Sequence, residues 1–259
     1  MNYGLYLSAA GAMTSMHRQD VYANNLANVN TIGFKPDQVF TRERVPARLD
    51  AGSAYADPKW MLEQLGGGQF VDPTFTNLTQ GALEKTGNQL DVAIEGDGFL
   101  VVSSRPEPGP SDLRLTRDGR MTLNREGELV MSTTGLRVLD VNHEPIQLDP
   151  GASVRIDANG EISQDGQVVA QINFAQAGDP TTLRKAGDNL LRFRDDSAAG
   201  LIPAEGRIVQ GHIESSAVDP IMAMNAMIGA SKSVGSNATM MQYHDNIMGQ
   251  AVNTFGRVG

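Results

Sequence analysis

Both ends of this 259-residue chain are nearly free of charge and share one spacing of apolar and small residues, and that pairing limits the folds open to it. Leu5, Ala9, Ala12, Met16, Gln19, Ala23 and Leu26 follow one another at alternating steps of four and three. Such heptad spacing predicts a helix covered along one face. Asn28, Asn30 and Gly33 then supply stop signals. Near the other end, Met227, Ser231, Val234, Ala238, Met241, Asp245, Met248, Val252 and Phe255 keep the same steps, with Pro220 near the expected start. Residues 1–35 carry only Arg18, Asp20 and Lys35 as charges, and residues 211–259 only Glu214, Asp219, Lys232, Asp245 and Arg257. Depletion of charge is what the cores of contact surfaces show.

Two such helices at opposite ends of one chain are expected to pair with each other or with copies of themselves. Two ordinary amphipathic helices capping a globular domain remain open on periodicity alone. Energetics favour partners: Gly229, Gly235 and Gly249 each cost about 1 kcal/mol relative to alanine inside a helix. A charge-poor helix has few side-chain ion pairs to offset that, so it needs packing to form. On the proposed seam Ala238 is small and flanked by Val234 and Met241. A glutamate there is expected to break the contact, whereas one at Asn237, off that seam, is expected to be tolerated better.

Between the ends the pattern changes twice. Residues 36–75 hold Pro36, Pro46, Pro58, Pro73 and the run Gly66-Gly67-Gly68 without sustained periodicity, which predicts an extended connector. From about residue 76 short alternating runs set in. Leu90, Val92 and Ile94 alternate, Glu95-Gly96-Asp97-Gly98 turns the chain, and Phe99 and Val101 resume. Asp118-Gly119, Glu126-Gly127, Asn159-Gly160 and Asp165-Gly166 punctuate later runs at the spacing of an all-β domain. Residues 76–210 hold 13 basic and 20 acidic residues, most of the chain's net charge of −9.

The same residues exclude several functions. An acidic chain repels nucleic-acid phosphates. Without cysteine there is neither a disulfide nor a thiolate site. His17, His143, His212 and His244 show no metal-ligand spacing. Asp157-Ala158-Asn159-Gly160 starts like a calcium loop, but Val168 stands where a bidentate carboxylate belongs. No Gly-x-Ser-x-Gly elbow occurs. No catalytic residue, cofactor, metal or small-molecule substrate is expected, and an enzyme is not. No basic segment precedes an apolar run before Arg18, so no cleavable secretory signal is expected.

The run Gly4 to Lys35, with Ala23-Asn24-Asn25-Leu26-Ala27-Asn28-Val29-Asn30-Thr31 and Gly33-Phe34-Lys35, resembles the N-terminal signature of the bacterial flagellar rod and hook proteins. Gln80-Gly81-Ala82-Leu83 through Thr86-Gly87-Asn88 to Phe99 is a second match. Thr116-Arg117-Asp118-Gly119 continuing to Leu129-Val130 is a third. Ser216-Ala217-Val218-Asp219-Pro220, then Met227-Ile228, Asp245 and Ala251-Val252-Asn253 form the last. These blocks stand in family order and frame nearly the whole chain. One departure is Ser231-Lys232-Ser233-Val234-Gly235-Ser236, where the family usually has an arginine with an aromatic or acidic neighbour.

The resemblance implies an α+β fold: N- and C-terminal helices paired as a coiled coil, with an extended connector and an inserted all-β domain. Residues 1–35 and 211–259 would form the helices of an inner layer, 36–75 the connector and 76–210 the outer domain. It implies a structural subunit of the flagellar basal-body rod that polymerises through its ends and transmits torque. The partners would be copies of itself, other rod and hook axial proteins, and the flagellar type III export apparatus, which would deliver it uncleaved to the periplasm-spanning rod. Within the family the chain looks most like the proximal rod subunit and next like the distal one. A hook subunit, or a secreted fibre protein with a coiled-coil stem, is the more remote alternative. The seam residues are the expected assembly interface, with Asn24, Asn25 and Asn28 satisfying backbone groups where helices meet.

Overall fold

The computed structural model describes residues 3–45, 68–194 and 200–255; most of the expected connector, and the side chain of Phe255, lie outside them. The fold is α+β. Two helices, α1 (Tyr3–Ala27) and α2 (Pro220–Phe255), bracket a series of short strands. These are β1 (Asp37–Gln38), β2 (Thr41–Glu43), β3 (Gln69–Val71), β4 (Phe75–Thr76), β5 (Leu83–Lys85), β6 (Val92–Glu95), β7 (Phe99–Ser103), β8 (Arg114–Thr116), β9 (Met121–Leu123) and β10 (Leu129–Met131). After them come β11 (Arg137–Val138), β12 (Val154–Ile156), β13 (Glu161–Gln164), β14 (Gln167–Gln171), β15 (Phe174–Ala177), β16 (Leu183–Gly187), β17 (Leu190–Phe193), β18 (Leu201–Pro203), β19 (Arg207–Gln210) and β20 (His212–Glu214). The chain divides into two compact units, one of residues 1–27, 37–75 and 219–259, the other of residues 28–36 and 76–218.

In the first unit α1 and α2 pack against each other. Asp219 caps α2, its Oδ1 accepting the N–H groups of Ile221 (2.9 Å) and Met222 (3.0 Å), and Pro220 occupies the first helical position, where it loses no hydrogen bond. A Cβ at Gly4 would lie 2.5 Å from His244 Nε2, and one at Gly11 3.0 Å from Asn237 Oδ1. Seven residues forward on α1 answer seven residues back on α2, so the helices run antiparallel. Flanking that stripe on α1, Leu7 and Ala10 border Gly68 beside β3, which pairs with β2.

The second unit is built on β7, whose five residues are all buried. Alternation along the strand sends Leu100 and Val102 into a cluster with Val92, Ile94, Leu129 and Ile162, and Phe99 and Val101 into another with Leu115, Leu139 and Leu191. A strand covered on both faces explains the continuous apolar run Phe99–Val102. The largest sheet is antiparallel, in the order β16-β17-β8-β7-β11-β10-β9, with β15 also on β7. The β13–β14 hairpin turns at Asp165-Gly166, both with positive φ, as a two-residue hairpin loop needs. The last strands return to the first: β19 pairs with β6 and β20 with β5.

The helical ends are shorter than expected. α1 stops at Ala27, and residues 28–36 belong with the strands; residues 212–214 are strand, and α2 begins at Pro220. Backbone bonding explains the difference. Gly33 N–H donates to Glu214 O (2.6 Å), Ala217 N–H to Phe34 O (3.1 Å) and Ser215 N–H to Ala82 O (2.8 Å).

Candidate assembly interface

The stripe of α1 that meets α2 is made of its smallest residues. Gly4 and Gly11 lie against His244 and Asn237, and the buried Ser8 and Ser15 fall on the same four-and-three stripe. Ser15 Oγ donates to Gly11 O at 2.8 Å, so the buried hydroxyl is satisfied within its own helix. On α2 the partners Asn237 and His244 recur at seven, and the buried Ala230 continues the row.

The apolar stripe read from spacing therefore runs one residue away from the stripe that meets α2. On α1, Leu5, Ala9, Gln19 and Leu26 are half-buried, Ala12 is buried, and Met16 and Ala23 are exposed. On α2, Met227, Val234, Ala238 and Met241 are half-buried, while Ser231, Asp245, Met248 and Val252 are exposed. Met227, Val234 and Met241 belong to both patterns; Ala230, Asn237 and His244 take the alternate positions in place of Ser231, Ala238 and Asp245. The physical reason is the close helix approach, which selects glycine and serine rather than the largest side chains.

Of the three asparagines, Asn25 is buried and satisfies backbone groups, its Nδ2 donating to Asp37 O (2.8 Å) and its Oδ1 accepting Asp37 N–H (3.0 Å). The groups belong to the chain just after the helix, not to a second helix. Asn28 Oδ1 accepts Thr31 Oγ1 at 3.1 Å, and Asn24 is exposed.

The helices keep a large apolar surface. Tyr6, Met13 and Met16 on α1, and Ile221, Met222, Ile228, Met240, Tyr243, Ile247, Met248 and Val252 on α2, are exposed, with Met13 at 71% and Val252 at 70%. With 36 residues against 25, α2 is about 54 Å long against about 38 Å for α1. The Gly4–His244 register leaves its last turns, from Asp245 on, past the described start of α1. Those turns carry Ile247, Met248 and Val252.

A cluster that spacing missed lies in the β unit. Lys35 Nζ donates to Glu214 Oε1 at 2.6 Å and to Thr79 O at 2.7 Å; Arg117 Nη1 donates to Glu214 Oε2 at 3.0 Å. Arg117 also reaches Gly96 O at 2.8 Å and stacks over the Phe99 ring at 5.1 Å. Burial pushes the Lys35 ammonium below the usual lysine value, with Glu214 opposing the shift and Arg117 adding to it. One signal pointed there: Lys35 and Glu214 are among the few charges in charge-starved ends, and Arg117 stands inside a recognised block. Among the described residues no group of His, Cys, Asp and Glu could hold a metal ion.

Comparison with known proteins fits this geometry. Residues 5–35 match the family described as flagella basal body rod protein, residues 93–170 the flagellar hook protein FlgE/F/G D1 domain, and residues 209–254 the flagellar basal body rod FlgEFG protein C-terminal region. The flagellar basal-body rod protein FlgF of Caulobacter vibrioides is 33% identical over 261 residues, covering 100% of both chains. This chain belongs to the flagellar basal-body rod protein family. FlgF of Mesorhizobium japonicum is 29% identical over 99% of each chain, and the rod protein FlgG of Bacillus subtilis 30% identical over 96% of this chain and 97% of its own. The two terminal matches of this rod protein cover the helices together with the segments that carry Lys35 and Glu214. Its C-terminal match runs to residue 254 and so includes the overhanging turns of α2.

Proposed function

We propose that this rod protein is an axial subunit that enters the flagellar rod through α1 and α2, as an inner coiled-coil layer, with the β unit forming the outer layer. The observation that carries the reading is the apolar surface left on the helix pair. A monomer seldom exposes rows such as Tyr243, Ile247, Met248 and Val252 unless another molecule covers them. Contacts in which the apolar face of one helix pair meets a different face of its neighbour are heterologous and extend into an open helical array. Torque then passes along the array mechanically, with no chemistry at the subunit. The exposed Met16, Ala23, Asn24, Ser231, Asp245, Met248 and Val252 face neighbouring subunits in this reading, and the half-buried seam residues steady the pair. The full-length match to FlgF proteins supports the proximal position in the rod. The neighbours are copies of the same chain and other rod proteins, and the chain reaches the periplasm-spanning rod uncleaved through the type III export apparatus.

The test is Ile247→Glu expressed in a strain whose own copy is deleted. Ile247 lies beyond the α1 register and is 62% exposed, so the lone subunit loses nothing. In the array a buried, unpaired carboxylate costs several kcal/mol at every contact. Swimming and recovery of the chain in purified basal bodies should both fall to the level of the deletion. Normal incorporation of Ile247→Glu would contradict the reading.

A further inference from the structure

Lys35, Arg117 and Glu214 are 3%, 5% and 0% exposed and come from three distant parts of the chain. Lys35 follows α1 by eight residues, Glu214 precedes α2 by six, and Arg117 stands between β8 and β9 in the middle of the β unit. The Glu214 carboxylate is fully engaged: Oε1 accepts both Lys35 Nζ and the Gly81 N–H (2.8 Å), and Oε2 accepts Arg117. Two buried cations therefore share one carboxylate. Taking Glu214 away strands both; taking Lys35 away still leaves Glu214 paired with Arg117.

The backbone around the cluster is locked as tightly. Gly33 has φ +68, and a Cβ there would overlap the Arg117 backbone; a Cβ at Gly81 would overlap the Ser215 carbonyl. Segment 28–36 and segment 211–218 are also bonded directly to each other, through Gly33 N–H to Glu214 O and Ala217 N–H to Phe34 O.

We propose that the Lys35–Glu214–Arg117 cluster is a two-key latch: the β unit closes only when segment 28–36 and segment 211–218 are both seated, and unseating either one releases the other. A buried charge without its partner costs far more than an open one, so half-seated states are the least stable. The latch makes a clipped or incomplete chain fail as a whole, instead of leaving a folded β unit with loose arms. It is a property of the isolated chain and does not depend on what the helices assemble into.

Hydrogen exchange on the full-length monomer tests it, with Lys35→Met as the main variant because the Glu214–Arg117 pair survives. The readout is on the opposite segment: the Ser215 amide, bonded to Ala82 O, and the β20 amides paired with β5. These should lose protection about tenfold or more, alongside Phe34 on the near side. Glu214→Gln should lose more at all these positions, up to complete opening of the β unit. Arg207→Met, which breaks an exposed ion pair to Glu95 in the β19–β6 ladder, should leave them unchanged. Loss confined to residues 28–36 in Lys35→Met, or wild-type protection in Glu214→Gln, would overturn the latch.

Discussion

A methyl group added at Gly11 would sit 3.0 Å from Asn237 Oδ1, whereas one at Gly235 would meet nothing within 4 Å. The two helical glycines should therefore respond in opposite ways. Gly235→Ala removes a helix penalty of about 1 kcal/mol and should raise the thermal midpoint of the helical signal. Gly11→Val overpacks the α1–α2 contact, at about 1–3 kcal/mol, and should lower it. Circular dichroism of the monomer measures both, and equal shifts would show that the helices do not meet at Gly11. Lys35 permits a test by pH. Its ammonium is held below the usual lysine value chiefly by burial, with Glu214 opposing, Arg117 adding to the shift and Asp97 opposing. Between the lowered value and the ordinary one of about 10.4 the unfolded chain binds more protons than the folded one, so stability rises with pH across that window and is flat below it. The rise should vanish in Lys35→Met, read as the difference between the two proteins' unfolding curves. A charge that the sequence shows only as an isolated lysine in an apolar end thus becomes, in the fold, half of a buried pair 179 positions apart in the chain. No local pattern carries that separation.

Among the elements, helices and turns were the readable part. The helical ends were expected to span 1–35 and 211–259, but the stop at Ala27 and the start at Pro220 follow from Asn28 and the Asp219 cap, and Asp165-Gly166 announced its hairpin. The register of the helix pair was not readable, because apolar spacing points at the stripe with the greatest hydrophobic content. The pair instead approaches on Gly4, Ser8, Gly11 and Ser15, where there is little side chain to see. The consequence for mutation is a reversal. Asn237, half-buried like Ala238, is the residue that faces Gly11, so the longer charged side chain of Asn237→Glu should loosen the helix pair in the lone subunit, with a loss of about 1–3 kcal/mol. Ala238→Glu is half-buried at the edge of the contact and should leave the pair formed, its damage appearing only in assembly. Helix content of the two monomers decides the matter; a melted helix pair in Ala238→Glu with a normal one in Asn237→Glu would restore the original register. The strands 212–214 were hidden for another reason: β20 is three residues long and pairs with β5, more than a hundred positions earlier.

At the scale of the whole molecule, the charge-poor ends and the acidic middle separate into a helical unit and a β unit, and three of the four points where the chain passes from one to the other border the segments that the latch holds. Among the described residues the longest rows of exposed apolar side chains lie on the helices, and most of the charge lies in the β unit. A rod built from such subunits should hide the first and display the second. Cryo-electron microscopy of purified basal bodies containing this chain reads that out directly. α1 and α2 should form the innermost density of the chain, with Tyr243, Ile247 and Val252 in contact with neighbouring subunits and the β unit outside them. A rod in which those side chains face solvent, or in which the β unit lines the interior, would contradict this arrangement.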